Sequence, residues 1–302
     1  MPDGYVVIEG KPVQLARPAR LPERSFVGRA NELHLCKMAW GIDGVTNDFI
    51  DSELRPLHFR LEGPPGVGKN EIVYEIARQT KRPLYIIQGH EELTPEDLSL
   101  LLVPAARRQS EVAYDPDDSS GSYETIDDGS GQGDLILQAS PLATAIIVGG
   151  LCFFDEINRV PKRAMSPLSS VLDDRLALYS AMTGMFVEPR DAEARKSFRF
   201  CCALNPEMTS SGHNLPEYIE QRTLPRIKMD PPSYDDLVTI IERALKPPAD
   251  LLRAFEEWYG QERGLEISIR QALALMHYAM QHHQPAADKV SLLRTVRNYI
   301  LG

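Results

Sequence analysis

The sequence predicts an α/β chain, with a parallel sheet first and an all-helical domain after it. Three observations carry this. Short apolar runs, each about a strand long, alternate with stretches of helical apolar spacing between Leu57 and Leu204. A Gly/Pro-rich loop ending in lysine, Gly63-Pro-Pro-Gly-Val-Gly-Lys-Asn70, stands between one such run and one such helix. From Pro231 onward the alternation stops and only helical patterns follow.

Residues 1–25 are rich in Pro and Arg and have no clear period, so they read as an extended N-terminal arm. A helix is expected over Asn31–Met38. Leu57-His-Phe-Arg-Leu61 is a short strand leading into the glycines, and Glu71–Gln79 carries Ile72, Val73, Ile76 and Ala77 at helical spacing. Leu84-Tyr-Ile-Ile87 is a second strand, Ile146–Phe154 contains a third, and Phe198–Leu204 is a fourth. The stretch Asp115–Asp134 is acidic, rich in Gly and Ser and almost free of apolar anchors. It reads as a mobile surface loop, about 110–134, with a partner-binding element as the alternative. Residues 26–230 thus form the large domain and residues 231–302 a helical one. The latter opens at a capping pair, Ser233 and Asp236, and continues near Asp250–Tyr259, Ser268–Gln281 and Ala287–Leu301.

A chain of 302 residues can bury a sizeable core, and no apolar run is long enough to cross a membrane. The N-terminus lacks the basic start and apolar stretch of a secretory signal, so a cytoplasmic location is expected. The formal net charge of −10 opposes passive coating of nucleic acid or of an anionic membrane. Cys36, Cys152, Cys201 and Cys202 have no metal-ligand or redox spacing and read as buried free thiols. His277, His282 and His283 have no acidic or Cys partner at ligand spacing and read as a surface helix end.

Strand, glycine loop, lysine and helix follow in the order that a phosphate loop requires. Gly63, Pro64, Pro65, Gly66, Val67 and Gly68 let backbone N–H groups close around phosphate oxygens. The helix that begins near Lys69, Asn70 and Glu71 adds its N-terminal partial charge, and Lys69 reaches the β- and γ-phosphates. The expected ligand is ATP with Mg²⁺. Asn70 stands where Ser or Thr ordinarily ligates the ion. Its amide oxygen can bind a hard cation, but the longer side chain places that oxygen differently. Leu151-Cys-Phe-Phe-Asp155-Glu156 supplies the acids: Asp155 at a buried strand end to hold Mg²⁺ through water, with Asn70, and Glu156 to polarise an attacking water.

Asp155-Glu-Ile-Asn-Arg159 resembles the signature of the MoxR-type AAA+ ATPases. This helix-2-insert group includes CbbQ/NorQ-like activators of other enzymes, and the resemblance runs from about Phe26 to Arg270. Gly89–Leu98 is similar to the segment after the family's second strand, and Ser140–Ile146 to the stretch ahead of its acidic strand. The resemblance implies a P-loop NTPase sheet with a helical lid. It makes Asn205, after Phe198–Leu204, the polar sensor that orients the lytic water or senses the γ-phosphate. Leu215-Pro-Glu-Tyr-Ile-Glu-Gln-Arg222 resembles the family's finger element, so Arg222 would reach a neighbouring subunit's nucleotide, with Arg226 as the alternative; Gln221 replaces the usual Asp. Arg270 falls at the family's second sensor, and Phe26-Val27-Gly-Arg29 resembles the segment packed beside the adenine. Leu172–Ser197 lies where family members carry pore-facing hairpin inserts, a simple surface hairpin being the alternative.

The expectation is therefore an ATP-hydrolysing subunit of a homo-oligomeric ring, a hexamer by resemblance, that remodels a protein client. A von Willebrand factor A-type partner is a further family implication. Two rivals stay open: a nucleotide-dependent binding switch with weak or no hydrolysis, which Asn70 favours, and a DNA-acting AAA+ ATPase, which the net charge opposes.

Overall fold

The computed structural model describes residues 4–23, 26–52, 54–104, 135–206, 214–261, 267–282 and 288–300. The acidic stretch Asp115–Asp134 lies outside the described residues. Five strands form the central sheet: β3 (Phe59–Glu62), β4 (Leu84–Gln88), β7 (Leu151–Asp155), β10 (Arg199–Leu204) and β11 (Arg226–Lys228). Their spatial order is β11-β3-β10-β7-β4, and every pairing is parallel. Helices α1 (Ala30–Ala39), α2 (Lys69–Thr80) and α3 (Pro141–Val148) supply the layers against it.

Alternation along the strands builds two cores. Leu151 and Phe153 of β7 join Cys201 and Ala203 of β10 against Ile72, Val73 and Ile76 of α2. Their neighbours Cys152, Phe154, Phe200 and Cys202 face the other way, toward Leu142, Ala143 and Ile146 of α3. Both faces of the sheet are therefore covered, which is why these strands read as continuous apolar runs. The four cysteines are buried free thiols. The run Ile146–Phe154 divides: Ile146–Val148 closes α3, Gly149 takes the left-handed C-cap at φ +70°, and β7 begins at Leu151.

Several elements were not foreseen. The N-terminal arm is extended because it forms two strands, β1 (Tyr5–Ile8) and β2 (Lys11–Gln14), paired as a hairpin. β2 runs parallel to β6 (Leu135–Ala139), which pairs antiparallel with β5 (Leu100–Pro104), making a four-stranded side sheet. β11 is three residues long and too short to show a period. A hairpin is expected within Leu172–Ser197, and one is present there: β8 (Leu178–Ser180) pairs antiparallel with β9 (Met185–Val187). It presents Tyr179 and Phe186 outward, with ring centroids 5.0 Å apart.

The C-terminal helices are α7 (Tyr234–Leu245), α8 (Ala249–Gln261), α9 (Ile269–Gln281) and α10 (Lys289–Ile300); the short α4 (Leu168–Val171), α5 (Ala192–Ser197) and α6 (Glu217–Arg222) precede them. They enclose their own core of Phe255, Trp258, Leu275, Met276 and Leu293. Ser233 caps α7 by accepting the Asp236 N–H, and Ser268 with Gln271 forms a reciprocal capping box on α9.

Candidate nucleotide site

The loop from Gly63 to Gly68 leaves the carboxyl end of β3 and enters α2 at Lys69. The sheet places this turn between the ends of β10 and β11. A Cβ on Gly63 would lie 2.3 Å from the Met229 carbonyl oxygen, so only glycine lets the chain pass there. Gly66 and Gly68 adopt φ +79° and +96°, which turns successive N–H groups to one side of the loop. Lys69 donates from Nζ to the Gly63 and Pro64 carbonyls, at 2.6 and 2.9 Å. Burial lowers the Lys69 pKa, while the charges of Asp155 and Glu156 pull it back up. These two acids are therefore close enough to act on the lysine.

Asp155 ends β7 and is buried. Its Oδ2 accepts the Asn70 amide Nδ2–H at 2.7 Å, and its Oδ1 accepts the Glu156 N–H at 2.9 Å. Glu156 sits in the left-handed region at φ +51°, an uncommon conformation for a non-glycine residue. Gly89 makes room for it, since a Cβ there would lie 2.3 Å from the Glu156 carbonyl oxygen. The Glu156 carboxylate accepts from Gln88 Nε2 at 3.1 Å and faces the Arg159 guanidinium at 3.1 Å.

Phosphate loops ordinarily hold Mg²⁺ through a Ser or Thr hydroxyl and an acid. The donor set here does not fit that scheme. Asn70 points its NH₂, which cannot ligate a cation, at Asp155 Oδ2, so no amide oxygen is presented beside that carboxylate. The expected ligand pair of Asn70 and Asp155 is a hydrogen-bonded pair in this structure.

The other expected residues fall into two places. Phe26 and Val27 line a cavity of about 350 Å³ beside the loop, together with Val67, Gly68, Ile240 and Ile269. The start of α9 closes over the loop. A Cβ on Gly66 would meet Ser268 Cβ at 2.9 Å and Arg270 Cβ at 3.6 Å, so Arg270 stands next to the phosphate turn. Asn205 follows β10, and its carbonyl accepts from Asn158 Nδ2 at 3.2 Å. Arg222 is elsewhere. It donates to the Tyr218 carbonyl at 3.2 Å and lines a separate cavity of about 1020 Å³ with Asp173, Arg195 and Arg199. Arg226 on β11 is held by Glu62 at 2.8 Å, and Glu62 also pairs with Arg60 at 2.8 Å.

Sequence reasoning gave no role to Gln88, Arg159 or Arg29. Gln88 is the first polar residue after a buried strand, and Arg159 stands one turn beyond Glu156, so both positions carried a signal. Arg29 bonds the Val67 carbonyl at 3.2 Å, the Asp230 carbonyl and Glu32. It thereby ties the segment after the arm to the phosphate loop and to the start of the helical domain.

Comparison with known proteins agrees with this architecture. NorQ of Paracoccus denitrificans is 26% identical over 206 residues, 68% of this chain and 64% of NorQ. The denitrification regulatory protein NirQ of Pseudomonas aeruginosa is 27% identical over 146 residues, 48% of this chain and 44% of NirQ. The matched stretch thus spans less than two thirds of either relative. A mutant of Thermotoga maritima RuvB superposes with a TM-score of 0.51 at 19% identity, covering 94% of this chain and 73% of that one. NtrX from Brucella abortus in complex with ADP does so with a TM-score of 0.51 at 14% identity, covering 89% and 54%. At such identities both structures establish the fold alone. The matches to NorQ and NirQ bear out the resemblance to MoxR-type AAA+ ATPases. The sequence model of the AAA domain (dynein-related subfamily) matches residues 58–223, more than half of the chain, and the chain belongs to that family.

Proposed function

We propose that this chain binds ATP in the groove between its phosphate loop and its helical domain, and hydrolyses it as one subunit of a ring that remodels or activates a protein partner. The observation that carries the proposal is the convergence of Lys69, Asp155 and Glu156 at one edge of the parallel sheet. The loop N–H groups and the N-terminus of α2 receive the phosphates, and Lys69 neutralises them. The apolar cavity at Phe26 and Val27 takes the base. Glu156 polarises the attacking water, Asn205 orients it, and Arg270 reports the phosphate state to the helical domain.

Arg222 lies in a cavity apart from its own chain's loop, which suits a finger offered to a neighbouring subunit's nucleotide. Similarity to NirQ, a denitrification regulatory protein, supports a regulatory output. A ring, hexameric by resemblance, and a von Willebrand factor A-type partner belong to the same proposal.

The test pairs nucleotide binding by calorimetry with steady-state ATPase of the wild type and Glu156→Gln. Glu156→Gln is expected to bind ATP and to lose turnover by about 100-fold or more. Equal, near-background rates in both proteins would remove hydrolysis and leave a binding switch. One observation favours that second role: the Glu156 carboxylate is engaged by both Gln88 and Arg159. Light scattering with and without ATP tests the ring, and a strict monomer would make a trans role for Arg222 untenable. A DNA-acting role has only the fold likeness to RuvB beside it, and the net charge of −10 opposes it. DNA stimulation of the ATPase would revive it.

A further inference from the structure

We infer that the nucleotide site binds its ligand without a divalent cation, because the Asn70 amide occupies the position at Asp155 that a bridging ion would take. The inference rests on the proposed nucleotide binding and concerns what balances the phosphate charge there. Asn70 Nδ2 is 2.7 Å from Asp155 Oδ2. Turned the other way, Asn70 would set its amide oxygen against a carboxylate oxygen at that distance, with no proton between them. The amide nitrogen is thereby fixed toward Asp155.

One further contact bears on the arrangement. Asp155 Oδ1 is engaged by the Glu156 N–H at 2.9 Å, so neither oxygen of this buried carboxylate is without a donor. To recruit the ion, Asn70 would have to give up its bond to Asp155, turn its oxygen inward and leave its NH₂ to find another acceptor. A Ser or Thr hydroxyl faces no such exchange, since its single oxygen can donate and ligate together.

Positive charge is already in place from the protein. Lys69 lies over the loop, α2 presents its N-terminus, and Arg270 stands beside Gly66. These groups can balance phosphate charge with no ion present.

Equilibrium binding of a fluorescent ADP analogue to the full chain, in excess EDTA and in excess MgCl₂, tests this without turnover. The wild-type Kd is expected to agree between the two conditions within about threefold, while Asn70→Thr and Asn70→Ser bind about tenfold or more tightly with Mg²⁺ than with EDTA. Circular dichroism establishes that the variants fold, and the wild-type comparison stands without them. A wild-type loss of about tenfold or more in EDTA would overturn the inference. So would variants that remain as indifferent to Mg²⁺ as the wild type. Absence of binding in every condition would instead remove the nucleotide site itself, and the inference with it.

Discussion

The Glu156 carboxylate faces the Arg159 guanidinium at 3.1 Å, one turn further along the chain. Gln88, at the end of β4, reaches the same carboxylate oxygen. A water bound at that oxygen must compete with both. The ion pair is about two-fifths exposed on each side, so its worth is that of a surface pair, about 0.2–1 kcal/mol. Arg159→Ala is therefore expected to raise kcat by about two- to fivefold with little change in KM. Steady-state ATPase measurements check this, and a fall in kcat would assign Arg159 a supporting role instead.

Gly66 joins the phosphate turn to the helical domain. At φ +79° an alanine is strained, and its Cβ would come within 2.9 Å of Ser268 Cβ at the start of α9. Gly66→Ala is expected to cost about 1–3 kcal/mol of stability and to weaken nucleotide binding tenfold or more. Urea denaturation and calorimetric titration measure the two losses. Ser268→Gly in the same background should relieve the contact but not the backbone strain, so it restores only part of the affinity.

Arg222 and Arg226 separate by their partners. Arg222 bonds a backbone carbonyl, whereas Arg226 is tied to Glu62 in a network with Arg60. Arg222→Ala should abolish turnover while leaving nucleotide affinity within about twofold. Arg226→Ala should lower the unfolding midpoint with turnover largely retained. Mixing Arg222→Ala subunits with Glu156→Gln subunits should recover part of the ATPase, because some interfaces then combine an intact Glu156 with an intact Arg222. No recovery in the mixture would exclude a finger shared between subunits.

His58 makes one contribution to pH dependence. Burial lowers its pKa to about 4 from the ordinary 6.5, and the nearby Arg199 charge adds to the effect. Its Nδ1 is buried without a hydrogen-bond partner. Between pH 4 and 6.5 the unfolded chain therefore binds a proton at this position that the folded chain refuses. Stability is fully present above pH 6.5 and falls as the pH drops toward 4, by up to about 3 kcal/mol. Unfolding midpoints of wild type minus His58→Leu, followed across that range, should carry this slope. A flat difference curve would show that the imidazole titrates normally.

Legibility in the sequence followed burial. β7 and β10 were readable because both faces are covered, making Leu151–Phe154 and Phe200–Leu204 unbroken apolar runs. The phosphate loop was readable because its glycines answer to close backbone approach, a constraint few other residues satisfy. β11 was not, since Ile227 is the one buried side chain among its three residues. The N-terminal hairpin was hidden by Lys11 and Pro12, which read as loop, and by a pairing partner that lies far along the chain in β6. At the site, the acids and Lys69 were legible as residue types. The direction of the Asn70 amide was not, because it depends on Asp155 reaching it from β7, 85 residues along the chain.

The order of the central sheet also determines when the nucleotide site comes into existence. β3, which carries the phosphate loop, has β10 on one side and β11 on the other, and both are made long after it during synthesis. A nascent chain that has emerged only as far as β7 contains the loop's residues without the two strands that position it. Closing such distant pairings is the slow part of folding. On the proposed nucleotide binding, the ligand is expected to favour the folded chain only after Arg226–Lys228 has docked beside β3. A chain stalled short of that strand is expected to bind ATP weakly or not at all even with residues 63–70 intact, which a filter-binding assay on stalled chains would check.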